Sequence, residues 1–312
     1  MRRGLVLGAG GVLGAAWTIG ALSAVQDELG WDPREAEVLI GTSAGSVLLS
    51  ALACGVGVQE LLDHQGGKLD PRIDFDPDTD SGGALPPLPR PFVGSPRGLM
   101  HSALRPWRTS PMAALAAALP QGRGSLEPVG RLVDGVLPGG GWAPHPAAWV
   151  VAMDYDSGRR IAFGSPGAPE ATLREAVMAS CAIPGWYSPV AIGRRRYVDG
   201  GVCSPTSVDL LARAGLDEVV VLSPMTSLSY DTPDSVAARI ERRFRRLVTK
   251  RVVGEIKKVA ATGTKVTFLG PTSEDLVVIG ANMMDPRRRT EVLETSRRTS
   301  AAALRGGLAA SA

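Results

Sequence analysis

The stretch Val38-Leu39-Ile40-Gly41-Thr42-Ser43-Ala44-Gly45-Ser46-Val47-Leu48-Leu49 decides the fold. It opens with an apolar run of strand type and closes on the start of an Ala- and Leu-rich helix, with Gly-x-Ser-x-Gly between them. A strand that becomes a helix across five small residues holds its serine on a sharp turn, the hydroxyl clear of the backbone. The helix starting there points free N–H groups and the positive end of its dipole at whatever Ser43 attacks. The pentapeptide alone also fits a plain glycine turn, so the rest of the chain must decide.

Upstream, Leu5-Val6-Leu7 reads as a first strand. Gly8-Ala9-Gly10-Gly11-Val12-Leu13-Gly14 is then a glycine loop opening a helix to about Leu29. Such a loop gathers backbone N–H groups into an anion-binding nest. A dinucleotide fold would add a ribose-binding carboxylate after the second strand. Here that strand ends in the serine turn, and the next carboxylate is Glu60. The other use of the nest is an oxyanion hole beside the serine, worth about 3 kcal/mol per well-placed donor.

Composition sets the bounds. With 312 residues, 44% hydrophobic and 21% charged, the chain builds one large α/β domain or two small ones. A net charge of +3 gives no reason to expect nucleic acid. Three cysteines without C-x-x-C spacing suit a reduced, cytoplasmic setting, and three scattered histidines give no metal site. Residues 4–25 and 38–58 are uncharged, which imitates a signal peptide and a membrane span. Both are dense in Gly, Ala and Ser, and each breaks into a short run, a turn and an Ala-rich segment. A parallel strand followed by a core helix produces that text.

Residues 63–108 change character. Runs 76–83 and 86–91 cannot be regular helix or central strand, and a Pro/Gly-rich insertion of this kind is either a lid over a site or a surface linker. Short helices are expected at 111–119 and 126–136, and a buried strand at 149–154 with a hairpin partner at 159–163. Asp154, at that strand's end, reads as a capping or hydrogen-bonding residue. A helix at 172–179 and a Pro-bounded loop at 182–190 precede a strand running into Asp199-Gly200-Gly201. A serine hydroxyl needs a base. His64 follows a helix, His101 adjoins the Pro-rich stretch and His145 lies between prolines, so none is placed for that role. An aspartate at a strand end, followed by two glycines that admit another chain, is better placed, although an Asp-Gly turn alone is common.

A helix at 208–214 and a buried strand at 218–222 come next. The pattern from 233 to 260 predicts a long helix with Ile240, Phe244, Leu247, Val248, Val252, Ile256 and Val259 on its core face. Arg239, Arg242, Arg243, Arg245, Arg246, Lys250, Arg251, Lys257 and Lys258 make the opposite face cationic, either solvated or set against anionic lipid headgroups over 239–258. A last strand at 265–269, a closing helix at 285–304 and a frayed tail from 305 complete a C-terminal extension of the same domain, spanning 233–304.

The glycine loop, the serine turn and the late Asp-Gly-Gly, in that order and each after a strand, resemble the patatin-like phospholipase family. Ala179-Ser180-Cys181-Ala182-Ile183-Pro184-Gly185-Trp186-Tyr187-Ser188-Pro189-Val190 resembles the segment that precedes its aspartate. The resemblance covers about residues 5–222 and implies a three-layer α/β/α sandwich with a mostly parallel sheet, here one domain over 1–312. It implies Ser43 as nucleophile, Asp199 as base and the backbone of Gly10, Gly11 and Val12 as oxyanion hole. Gly8, Gly14, Gly41, Gly45, Gly200 and Gly201 support those motifs. No metal and no cofactor are implied. The substrate would be a lipid acyl ester, and the place of action cytoplasmic or peripheral to a membrane. The sequence departs from the family pattern at Ala9, where a glycine is usual, and at Leu13, where a basic residue is usual. A lipid-binding or regulatory protein on the same fold, with little turnover, is the alternative.

Overall fold

The computed structural model describes the chain apart from residues 69, 81–82, 106, 108–109, 307–309 and 312, and apart from the side chains of 310 and 311. In chain order the first elements are β1 (Arg3–Leu7), α1 (Gly11–Leu29), β2 (Val38–Thr42), α2 (Ala44–Ala53) and α3 (Val58–Gln65). There follow α4 (Pro96–Leu104), α5 (Pro111–Ala118), α6 (Glu127–Val136), β3 (Ala148–Asp154), β4 (Arg160–Phe163) and α7 (Leu173–Ser180). The chain continues through β5 (Val190–Ile192), β6 (Arg195–Asp199), β7 (Glu218–Leu222), α8 (Val236–Ala260) and β8 (Lys265–Leu269). It ends in α9 (Ser273–Ile279), α10 (Arg289–Arg305) and β9 (Ala310–Ser311).

Among the described residues nine strands join one sheet in the order β5-β6-β3-β2-β1-β7-β8-β9, with β4 also paired to β3. The run β3-β2-β1-β7-β8 is parallel, and β4, β5, β6 and β9 are antiparallel. Strand alternation makes the layers. Leu5, Leu7, Leu39, Val150, Val220 and Leu222 pack under α1, α2, α6, α7 and α10. Val6, Ile40, Val151, Val219 and Val221 face the other way, against α8 and the short helical turn 208–213. Each fully buried leucine or valine contributes about 2 kcal/mol. This is the three-layer α/β/α sandwich expected. Because both faces are covered, the strands read as unbroken apolar runs.

α10 lies against α1. A Cβ on Gly20 would stand 2.5 Å from the Leu293 carbonyl oxygen, and the Ser296 hydroxyl donates to the Trp17 carbonyl at 2.6 Å. Among the described residues no helix is long and apolar enough to cross a membrane.

Four expectations need correction. The insertion contains a helix, α4, started by the Ser95 cap and Pro96 at its first position. The loop after α7 contains the short strand β5, and α9, capped by Thr272, carried no sequence signal strong enough to be read. The tail expected to fray includes β9, paired with Thr267 and Phe268, while 307–309 and 312 lie outside the described residues.

The largest correction concerns α8. Its buried stripe is Ala238, Arg242, Arg245, Thr249, Val252, Ile256 and Val259, whereas Ile240, Phe244 and Leu247 are exposed. Two arginines go inward because their donors are met there. Arg242 bonds Asp231 at 2.6 and 3.0 Å and the carbonyls of Leu276 and Gly280, and Arg245 bonds Glu241 and the carbonyls of Pro224 and Thr226. A fully partnered guanidinium is tolerated in a protein interior where an unpaired one is not.

Candidate active site

Ser43, Asp199 and the glycine loop meet at the C-terminal ends of the parallel strands. β2 delivers Ser43 directly into α2, and its backbone is held at φ 53°, ψ −126°, a left-handed setting rare for a residue with a side chain. The turn closes tightly over β1: a Cβ on Gly45 would lie 2.1 Å from the Leu7 carbonyl oxygen. No residue but glycine fits there.

The Ser43 N–H donates to the Ser180 hydroxyl at 2.8 Å, and Ser180 in turn donates to the Val151 carbonyl at 2.6 Å. A serine at the end of α7 thus pins the elbow to β3. Ser180 lies inside the motif segment before Asp199, but nothing in the sequence assigns it this contact.

Asp199 ends β6, its N–H bonded to the Ala182 carbonyl at 3.0 Å. Its carboxylate is buried, and burial pushes its pKa up to about 6, held back by the neighbouring Ser43 hydroxyl and by the Gly201 N–H, which donates to it at 2.7 Å. Asp154 has the structural place expected of it, accepting from the N–H groups of Asp156 and Ser157 and pairing with Arg195 at 2.5 Å.

The loop after β1 is held by its flanks. The N–H groups of Gly8 and Ala9 donate to Leu222 and Pro205, that of Leu13 to Met283 and that of Gly14 to Gly10. Among the described residues, no backbone carbonyl accepts from Gly10, Gly11 or Val12. These are the orphan donors of the first turn of α1. Gly11 sits at φ +60°, its Cα side closed by Met283 and Met284, and Pro224 packs on Gly10 and Gly14. Buried Arg245 holds the Pro224 carbonyl at 2.5 Å. Leu13, at the position where the family pattern is basic, is 1% exposed and packs in the core.

A cavity of about 110 Å³ lies against Ser43 and the start of α1. Gly11, Val12, Ser43, Val47, Val129 and Tyr187 line it, and Gln65, Phe75, Pro77 and Asp80 of the insertion roof it. The roof is tied down by Asp78 to Arg289 at 2.8 Å and Asp80 to Arg131 at 3.2 Å. Cys181 also lines the cavity, but burial pushes its thiol pKa far up, which keeps it protonated and unreactive. Among the described residues no histidine lines the cavity: His64 bonds the Phe75 carbonyl and His145 that of Ala36.

An apolar cavity lined by a strained serine and by unpaired backbone N–H groups suits acyl-transfer chemistry. The patatin-like phospholipase profile matches residues 5–212, more than half of the chain, and the protein belongs to that family. Lipid ester hydrolysis is the activity that membership supports. Among solved structures, VipD from Legionella pneumophila is similar at 13% identity and a TM-score of 0.43, covering 98% of this chain and 67% of its own. The type III effector protein ExoU is similar at 16% identity and a TM-score of 0.35, over 98% of this chain and 53% of its own. The chain thus spans about half the length of ExoU.

Proposed function

We propose that the protein is a serine acyl hydrolase of the phospholipase A type, cleaving acyl esters of (phospho)lipids with Ser43 as nucleophile and Asp199 as base. The observation that carries this reading is the Ser43 hydroxyl, on its strained turn at the wall of an apolar cavity, beside the buried Asp199 carboxylate. Asp199 takes the hydroxyl proton as Ser43 Oγ attacks the ester carbonyl. The N–H groups of Gly10, Gly11 and Val12 stabilise the resulting oxyanion. The lysophospholipid or alcohol leaves with the proton, and water activated by Asp199 then cleaves the serine ester. The low polarity that raises Asp199 also strengthens each of these hydrogen bonds.

Residues 75–80 act as a lid in this scheme. Lifting of this roof would lengthen the cavity for a long acyl chain. The cationic side of α8, within 239–258, gives a secondary contact to anionic lipid.

Labelling with a long-chain fluorophosphonate, followed by peptide mass mapping, tests the assignment. An adduct on Ser43, absent in Ser43→Ala and Asp199→Asn, is expected. A folded protein that binds lipid vesicles yet takes no label would instead favour the binding-protein reading.

A further inference from the structure

Residues 81–126 contain no aspartate or glutamate but five arginines. Within them α4 and α5 pack on each other as a helical hairpin. The inner face is small: Gly98 on α4 and Ala113, Ala116 and Ala117 on α5 are buried. The outer face is large and apolar. On α4, Met100 is 60% and Leu104 68% exposed, at i and i+4 beside exposed Arg97, and on α5 Leu115 is 52% exposed. The flanking chain adds Leu88, Phe92 and Trp107, each more than 70% exposed, and exposed Arg90.

This inversion of the usual pattern, alanine inside and leucine outside, is what a helix pair has when its outer solvent is not water. We propose that the outer face of the α4–α5 hairpin is a docking surface for an anionic lipid bilayer. Charge selects that occupant. The segment carries arginines and no carboxylate of its own, and exposed Arg90 and Arg97 complement anionic headgroups while the apolar side chains reach the acyl boundary.

The hairpin is also in the right place. The Ser95 hydroxyl donates to Asp156 at 2.7 Å and the Tyr155 hydroxyl to the Ala116 carbonyl at 3.1 Å, which fixes the hairpin to the C-terminal end of β3. β3 is parallel to β2, so this is the edge that carries Ser43. The chain leaving α5 then crosses to the cavity wall, where the Gly124 N–H donates to the Trp186 carbonyl at 2.9 Å beside Tyr187. A bilayer seated on the hairpin lies next to the mouth through which a lipid must enter.

The inference rests on the lipid-hydrolase reading for its purpose, but its test does not need turnover. In a Ser43→Ala background, sedimentation is compared with vesicles of phosphatidylcholine alone and of equal parts phosphatidylcholine and phosphatidylglycerol. Binding to the mixed vesicles, weaker on neutral ones, is expected. A Met100→Ser/Leu104→Ser/Leu115→Ser variant should partition at least about 10-fold more weakly. In the active background the same variant should still hydrolyse a water-soluble short-chain ester at the unchanged rate, which also reports that it is folded. Trp107→Ser and Arg97→Gln, single changes at exposed positions, repeat the test should the triple variant not fold. Binding by the hairpin variants equal to that of the parent overturns the proposal, as does a loss seen only with Arg239→Gln/Arg243→Gln on α8. A parent that is a dimer in solution and a hairpin variant that is a monomer would also overturn it, since a second copy then covers this face.

Discussion

Asp199 pays for its role in stability. Its folded pKa, about 6, lies above the 3.8 of an exposed aspartate, so the folded state holds the proton more tightly than the unfolded chain. The stabilisation is complete below pH 4 and is lost as pH rises toward 6. Two pKa units correspond to about 3 kcal/mol. Asp199→Asn cannot ionise, so urea unfolding should show it gaining on the parent between pH 4 and 7, by up to about that amount, while its hydrolysis falls by about 10³-fold or more. A parent whose stability relative to the variant is flat across that range would refute the buried-carboxylate assignment. For the active parent, kcat/KM should rise with pH and level off above about 6, since the base works ionised. Ser180→Ala removes both bonds that tie Ser43 to β3 and leaves the Ser43 N–H and Val151 carbonyl buried and unpaired. A loss of about 1–3 kcal/mol is expected, with kcat falling more than KM changes. Ser43 and Asp199 are legible in the sequence because each follows an apolar run and adjoins glycines that tight turns require. Ser180 is not, because a hydroxyl bridging two strands has no local pattern.

Elements were legible where both faces of a strand are covered and blurred where a helix has two apolar faces. α8 is the instructive case. Ile240, Phe244 and Leu247 recur at helical spacing just as Ala238, Arg242, Arg245 and Thr249 do, and hydrophobicity picks the wrong row. What decides is that Asp231, Glu241 and four carbonyls lie ready for the two guanidinium groups, partners that no periodicity can show. Arg242→Met, which strands Asp231, should therefore cost about 3–5 kcal/mol in chemical unfolding, while Ile240→Ser should cost less than about 0.5 kcal/mol. The opposite order would restore the sequence-based register. The roof over the cavity makes a separate prediction. Asp78→Asn/Asp80→Asn removes its two ties to α10 and α6, so protease nicking within 75–80 should quicken several-fold, and the rate on long-chain lipid should rise relative to a short-chain ester. Unchanged nicking would mean that the ion pairs do not hold the roof, as exposed pairs often do not.

At the scale of the whole molecule, β1 is the hinge of the architecture, flanked by β2 from its own neighbourhood and by β7 from more than 200 residues away. The family profile ends at residue 212, before β7, β8 and α10. Yet the loop after β1 leans on Leu222, Pro224 and Met283, and α1 on Leu293 and Ser296. A fragment 1–212, and one ending at 270, should take no fluorophosphonate label, whereas the full chain does. Labelling of the shorter fragment would show that the matched region stands alone. These distant supports left no mark in the motifs, because a carbonyl or a methionine packed on a glycine loop is used for its position, not its kind.

That dependence turns chain order into a clock. Ser43 leaves the ribosome well before Met283, and the loop beside it gains its last support only when Met283 has emerged and folded back. In that interval the nascent chain carries the proposed nucleophile without the loop that would assist it.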